Sequence, residues 1–250
     1  MDVNIIRTRL SEYENEYTRF MIIDRFPSYD LQTKTVSLNT ADAQGFEVAA
    51  AAYYHPDECR HTLVVSTNLL LSKHLVFHEF THILDSEMYA KGDKLIYVGL
   101  SAYTEYHASQ IELAQLLGAS NISTIPSFSM DNVVSTFSGD KTVGDYLKAK
   151  YQHAIDLFSR ASFPDSLETL KTAIGVLCNY FGLRSICELY STDFEEDVQN
   201  EVFLKYITSF DFSALNRVLH GWLTEKQVYD SCTLYTTILL KLISQYKLHF

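Results

Sequence analysis

The stretch Leu75–Leu84, which reads Leu-Val-Phe-His-Glu-Phe-Thr-His-Ile-Leu, is the most informative part of this 250-residue chain. His78 and His82 are four residues apart, so a helix places both imidazole rings on one face, with Glu79 close by. Two neutral imidazoles at that spacing can hold Zn²⁺, while the carboxylate between them takes a proton from water. The pattern therefore predicts metal-dependent hydrolysis, with a peptide bond as the expected target.

The residues around the motif indicate that this helix is buried. Leu75-Val-Phe precede the first histidine, Phe80-Thr81 lie between the polar residues, and Ile83-Leu84 follow the second histidine. Burying two histidines and a glutamate without partners is costly, and a bound cation satisfies all three at once. The flanking residues thus favour a metal site over a chance match.

A catalytic zinc site needs a third protein ligand beside the two histidines. The segment 100–117 has the apolar spacing of a second buried helix and carries Glu105, which is the favoured candidate. Glu112, two turns later on a similar face, is the alternative, and a solvated Glu105 near a helix N-terminus is the competing interpretation. His74 is excluded because a straight helix separates it from His82 by about 12 Å.

Other residues near the motif are candidates for supporting roles. Glu79 is the predicted general base. Tyr103, Tyr106 and His107 flank the favoured third ligand and are candidates for stabilising an oxyanion, although any one tyrosine of a chain with 17 is more often a packing residue. Asp85, one turn beyond the second histidine, is either an orienting partner for a ligating imidazole or a solvated carboxylate.

The N-terminal half also contains strand patterns. The segments 46–54 and 60–67 are extended-looking runs separated by a turn, which predicts a β-hairpin, and 34–39 is a candidate for a further strand. The segment 4–25 has the spacing of an amphipathic helix that ends at Pro27. Together these elements predict a small sheet of about three strands, supported by helices.

A strand, a short connector, the His78-Glu79-x-x-His82 helix and a helix with Glu105 together resemble the zincin-like metallopeptidases of the gluzincin class. Over 46–117 the chain is most similar to the ImmA/IrrE type. The resemblance implies a cytoplasmic protein of bacterial or phage origin that cleaves a regulatory protein such as a repressor. It implies Zn²⁺ as cofactor, held by His78, His82 and Glu105, and 62–67 as the edge strand that pairs with substrate. A zincin-shaped module that binds metal or protein without turnover is the alternative.

The second half of the chain is predicted to be largely helical. A loop pattern at 118–126 divides the chain into a catalytic domain over 1–125 and a helical domain or lobe over 126–250. Gly182 suits the end of one helix, and Thr224 with Gln227 resembles a capping box. No motif here connects to chemistry, so we expect a packing lobe or partner surface. The predicted helices cover 143–160, 166–181, 195–209 and 224–247. The predicted fold class is therefore α+β.

Composition limits the partners and the compartment. The net charge of -11 argues against direct binding of nucleic acid, which relies on clustered Lys and Arg. The absence of a long apolar run predicts no membrane span, and the N-terminus lacks a secretory signal pattern. The four cysteines are scattered, as is typical of reduced thiols in a cytoplasmic protein: Cys59, Cys178, Cys187 and Cys232. The expected partner is a protein or peptide substrate.

Overall fold

A computed structural model of the protein describes residues 2–36, 49–196 and 200–248. It has the predicted α+β architecture, with a three-stranded mixed sheet and a mainly helical second half. Its buried apolar side chains form one cluster that extends from the first helix to the last one. The predicted fold class is confirmed.

The first helix, α1 (Val3–Met21), packs its apolar face against the rest of the N-terminal half. Asp2 caps its start by accepting a hydrogen bond from the backbone of Asn4. The helix ends at Ile22, which has a left-handed backbone with a φ of 57°, before the predicted stop at Pro27. The local backbone reversal, rather than proline, terminates the helix.

The sheet contains β1 (Tyr29–Lys34), β2 (Ala50–His55) and β3 (Arg60–Ser66). The antiparallel pairing of β2 with β3 confirms the predicted hairpin within the described residues, which do not include its first part at 46–48. The placement of the further strand at 34–39 is wrong, because β1 ends at Lys34, and 37–39 lie outside the described residues. The alternation of Tyr29, Leu31 and Thr33 is the pattern that marks the actual strand.

The order of strands, β1-β3-β2, corrects the predicted edge. The segment 62–67 was expected to be the edge strand, but β3 is central because β1 pairs with it in parallel on the side away from β2. Pairing between strands distant in sequence cannot be read from the hairpin alone. Among the described residues, β2 forms the edge of the sheet that contacts the motif helix.

The motif lies on α2 (Lys73–Asp85), which continues into a π-helical turn (Ser86–Ala90) and is followed by α3 (Lys94–Leu116). Thr81, between the histidines, is fully buried and lies 2.9 Å from the hydroxyl of Tyr17 on α1. Apolar contacts and this buried polar contact with α1 therefore help to fix the rotation of α2.

The second half begins with a hairpin and continues through five helices in the described residues. The predicted helix at 195–209 is wrong, because the chain forms two short helices separated by a turn, and 197–199 lie outside the described residues. The capping box of Thr224 and Gln227 is confirmed. The elements are β4 (Val133–Thr136), β5 (Gly139–Thr142), α4 (Val143–Phe158), α5 (Leu167–Tyr190), α6 (Glu201–Leu204), α7 (Ser209–Val218) and α8 (Glu225–Tyr246).

Gly182 does not end a helix, as was predicted, but lies within α5. A Cβ atom there would be 2.1 Å from the carbonyl oxygen of Tyr106 on α3, so only glycine permits this crossing. α3 packs against both α5 and α8, and the two halves share extensive contacts. The division of the chain near residue 125 stays a prediction.

Candidate metal centre

The two histidines and the glutamate of the motif lie together at one end of a cleft. The rings of His78 and His82 have centroids 4.8 Å apart. Glu79 turns toward the sheet, where its Oε2 accepts a hydrogen bond of 2.7 Å from the backbone N–H of Ala52 on β2. One ligand atom from each of the three side chains lies within 4.8 Å of the others. These side chains form a group that could hold a metal ion.

Glu105 on α3 faces the same point from the opposite side. Its Oε2 lies 3.5 Å from Nε2 of His78 and 3.9 Å from Nε2 of His82. α5 closes behind it, since a Cβ at Gly175 would be 3.5 Å from Cγ of Glu105. The structure thus brings together the two histidines and the favoured third ligand of the sequence prediction.

The other ring nitrogens have separate partners. Nδ1 of His78 lies 3.0 Å from Oε2 of Glu112, whose other oxygen accepts a hydrogen bond from the hydroxyl of Tyr146. Nδ1 of His82 lies 2.8 Å from Oγ1 of Thr104. Such partners fix ring orientation and tautomer in metal sites. Glu112, the alternative third ligand, therefore lies on the side of His78 that faces away from Glu105.

Burial and charge set opposite protonation states for the two rings. Burial lowers the pKa of His78, but hydrogen bonds to Glu105 and Glu112 outweigh it and raise the pKa to about 10. For His82 burial dominates and lowers the pKa to about 4. Burial raises the pKa of Glu105, but the two histidines hold it near 2. Despite burial, Lys150 and then His78 keep the pKa of Glu112 below its usual range. Both glutamates are therefore ionised at neutral pH.

A cleft of about 480 Å³ opens onto this group of side chains. The edge strand β2 contributes residues 50–54 to its lining, and α4 and α5 contribute further residues. Toward the C-terminal end of α2 the lining is mostly aromatic and apolar, with Tyr54, His61, Ile83, Tyr97 and Leu100. Such a volume is typical of ligand sites.

The three residues proposed to stabilise an oxyanion do not line this cleft. Tyr106 is fully buried, and its hydroxyl contacts the hydroxyl of Ser185 and the backbone oxygen of Gly221. Tyr103 is buried and stacks on His107 at a centroid distance of 5.3 Å. Their hydrogen-bonding groups are therefore placed within the packing around α3.

Asp85 takes neither of the roles considered for it. It is fully buried rather than solvated, and its Oδ1 lies 2.9 Å from Nδ1 of His107. This contact joins the end of α2 to α3, but its histidine is not one of the motif pair. Asp85 therefore positions His107, while His82 is oriented by Thr104.

The cleft-lining residues of α4 and α5 were not identified from the sequence. The second half was expected to be a packing lobe or a partner surface, and α4 and α5 contribute residues to the lining of the cleft. The signal was present in α5, an otherwise apolar helix, as polar or small residues spaced three and four apart. They are Glu168, Lys171, Thr172, Gly175 and Asn179.

Comparison with known proteins adds no relative, since no family model, curated protein or solved structure matches the chain. Of the features that suggested the family resemblance, the structure contains the His-Glu-x-x-His spacing on a helix and a candidate metal group. Membership of the ImmA/IrrE type stays a prediction. Across the residues that the structure describes, no helix combines the length and apolarity needed to cross a bilayer.

Proposed function

We propose that the protein is a zinc-dependent peptidase whose metal ligands are His78, His82 and Glu105. The observation that carries the proposal is the position of Oε2 of Glu105. This oxygen lies 3.5 Å from Nε2 of His78 and 3.9 Å from Nε2 of His82. Tetrahedral zinc with bonds of 2.0–2.2 Å separates its ligand atoms by roughly 3.3 Å. Both Glu105 distances are close to this separation, and the cleft provides space for a solvent-derived fourth ligand.

The donor set and its surroundings also fit zinc. Two imidazoles and one carboxylate are a common set for catalytic zinc, and their outer partners, Glu112 and Thr104, fix the rings. Zinc held there supplies a Lewis acid that activates water and polarises a carbonyl group. The ionised Glu105 offsets part of its charge.

Glu79 is the general base and acid in this proposal. The N–H of Ala52 binds its carboxylate, which lies close to both histidines, and in this proposal Glu79 does not coordinate the metal. Glu79 accepts a proton from the attacking water and passes it to the nitrogen of the departing amine. None of Tyr103, Tyr106 and His107 is assigned the oxyanion role, because none lines the cleft.

The substrate is proposed to be a peptide segment in an extended conformation. Within the described residues, β2 is an edge strand along the cleft, and on that edge the N–H of Ala52 is bound by Glu79. Residues two apart on a strand present their backbone groups on the same side, so the C=O of Ala52 and the backbone groups of Ala50 face the same way and are the ones proposed to pair with a peptide. A peptide can add to this edge by backbone hydrogen bonding. A protein substrate such as a repressor would have to present a segment of this kind.

The substitution Glu79→Gln tests the proposal against a metal-binding module without turnover. The purified wild-type protein is expected to hold one Zn²⁺ per chain by elemental analysis and to cleave a proteome-derived peptide library, with products read by mass spectrometry. Glu79→Gln should keep the zinc and lose at least about 100-fold in cleavage rate. Glu12→Gln, on the exposed face of α1, is the matched control. Zinc binding without cleavage by the wild-type protein would support the alternative instead.

A further inference from the structure

The two carboxylate oxygens of Glu105 face different parts of the site. Oε2 lies 3.5 Å from Nε2 of His78 and 3.9 Å from Nε2 of His82. Oε1 lies on the side of α5, where a Cβ atom at Gly175 would be 3.7 Å from it. The proposed chemistry uses Oε2 alone. A polar group of α5 next to Oε1 is therefore in a position to determine how this carboxylate is presented to a metal ion.

Asn179 is the polar residue of α5 that lies next to this contact. Residues four apart share one face of a helix, so Ser109 follows Glu105 on α3, and Asn179 follows Gly175 on α5. Gly175 contacts Glu105, and one turn further along both helices Oγ of Ser109 donates a hydrogen bond of 2.7 Å to Oδ1 of Asn179. Asn179 also lines the cleft. It is therefore held within one helical turn of the proposed ligand.

The bond to Ser109 fixes the direction of the Asn179 amide. An asparagine side chain has one acceptor oxygen and one NH₂ group with two donors. The oxygen is bound by Ser109, which is fully buried, so the NH₂ group is the end that remains for another acceptor. Burial raises the pKa of Glu105, His82 and His78 lower it, and the Asn179 side chain lowers it further. The amide of Asn179 therefore lies beside the carboxylate of Glu105.

We propose that Asn179 is a positioning residue whose NH₂ group binds Oε1 of Glu105, so that Glu105 offers a metal ion only Oε2. This inference rests on the proposed function, in which Glu105 is a ligand. Two imidazole nitrogens and one carboxylate oxygen leave the fourth position of a tetrahedral site open to solvent. Binding through both oxygens of Glu105 would fill that position. Asn179 thus keeps the site open, and Ser109 acts through Asn179.

Cobalt(II) bound in place of zinc tests the proposal, because its visible absorption is intense in a four-coordinate site and weak in a five-coordinate one. The wild-type protein should give the intense spectrum. Asn179→Leu is similar in size but has no hydrogen-bonding group, so both oxygens of Glu105 become free to bind. This variant should lose most of the absorption per bound cobalt. A role of Asn179 in packing alone would leave the coordination number unchanged.

Two further variants make the test specific. Asn15→Leu makes the same substitution at an exposed position of α1 and should keep the intense spectrum. Ser109→Ala removes the bond that directs the amide and should weaken the absorption in part. If Ser109 acts through Asn179, then Ser109→Ala should cause no further change when it is added to Asn179→Leu. Thermal melts of the metal-free variants establish that each of them is folded.

The outcomes separate this inference from the proposed function. An intense spectrum in folded Asn179→Leu would overturn the positioning role, and a five-coordinate spectrum of the wild-type protein would overturn the binding through one oxygen. Both results leave a metal site in place. Should Asn179→Leu not fold, an unchanged spectrum of Ser109→Ala would overturn the positioning role instead. Failure of the wild-type protein to bind either cobalt or zinc would overturn the proposed function together with this inference.

Discussion

Glu112 provides a sharp test of how the candidate metal centre is held. Its side chain is 1% exposed, and its Oε2 lies 3.0 Å from Nδ1 of His78. Glu112→Gln keeps the shape of the side chain but removes its negative charge. That charge orients the imidazole of His78 and raises its pKa. Losing such a partner typically lowers metal affinity about 10- to 100-fold, or about 1.4 to 2.7 kcal/mol. Glu112 also helps to hold the proton on His78 that zinc must displace, and its loss makes that proton easier to remove, so we expect a value near the middle of this range.

The assay is a competition titration of the metal-stripped protein with zinc and a chromogenic chelator. Tyr146→Phe is the matched control, because it removes one hydrogen bond to Glu112 but leaves its negative charge, and it should lower the affinity less than about tenfold. Thermal melts of the stripped variants separate loss of folding from loss of binding. A Glu112→Gln affinity within threefold of wild type, in a folded protein, would refute the assignment of Glu112 as the orienting partner of His78.

Further predictions concern protons, thiols and packing. Because the pKa of His78 is raised to about 10, zinc that binds at pH 7.5 should displace about one proton from this ring. The zinc affinity should therefore rise as the pH increases toward 10. Calorimetry in two buffers of different ionisation enthalpy measures the proton release, and a result of no released proton would contradict the prediction. Ellman's reagent should label the exposed Cys59 quickly in the native protein. The other three thiols should react slowly, because burial raises the pKa of Cys178, Cys187 and Cys232. A second thiol that reacts quickly would contradict this. Gly182→Ala should lower the free energy of unfolding, measured in urea, by about 3 kcal/mol, because the added methyl group clashes with Tyr106. Gly144→Ala, whose added methyl group makes only ordinary contacts, should lower it far less. Equal losses of stability would contradict the tight crossing of α3 and α5.

Local patterns identified the motif helix and its two imidazoles correctly. The four-residue spacing of His78 and His82 is a property of a single helix, so no tertiary information is needed to place both rings on one face. The hairpin and the capping box of the last helix are similarly local, and both were predicted. The choice between Glu105 and Glu112 was not local, because it depends on how α3 is rotated against α2.

The errors arose where distant segments meet. β3 was taken for the edge strand, since the parallel pairing of β1 across it involves residues about 30 positions apart. Gly182 was interpreted as a helix end because the sequence alone does not distinguish a glycine that ends a helix from one that allows two helices to pack closely. The contribution of α4 and α5 to the cleft went unnoticed because these helices reach it only in the folded protein.

The most direct measurement is a crystal structure of the zinc-loaded protein with anomalous diffraction at the zinc edge. The account predicts one peak, bound by Nε2 of His78, Nε2 of His82 and a carboxylate oxygen of Glu105, with Glu79 uncoordinated and the fourth position open to the cleft. A peak elsewhere, imidazoles turned apart, or a fourth protein side chain closing the site would contradict it.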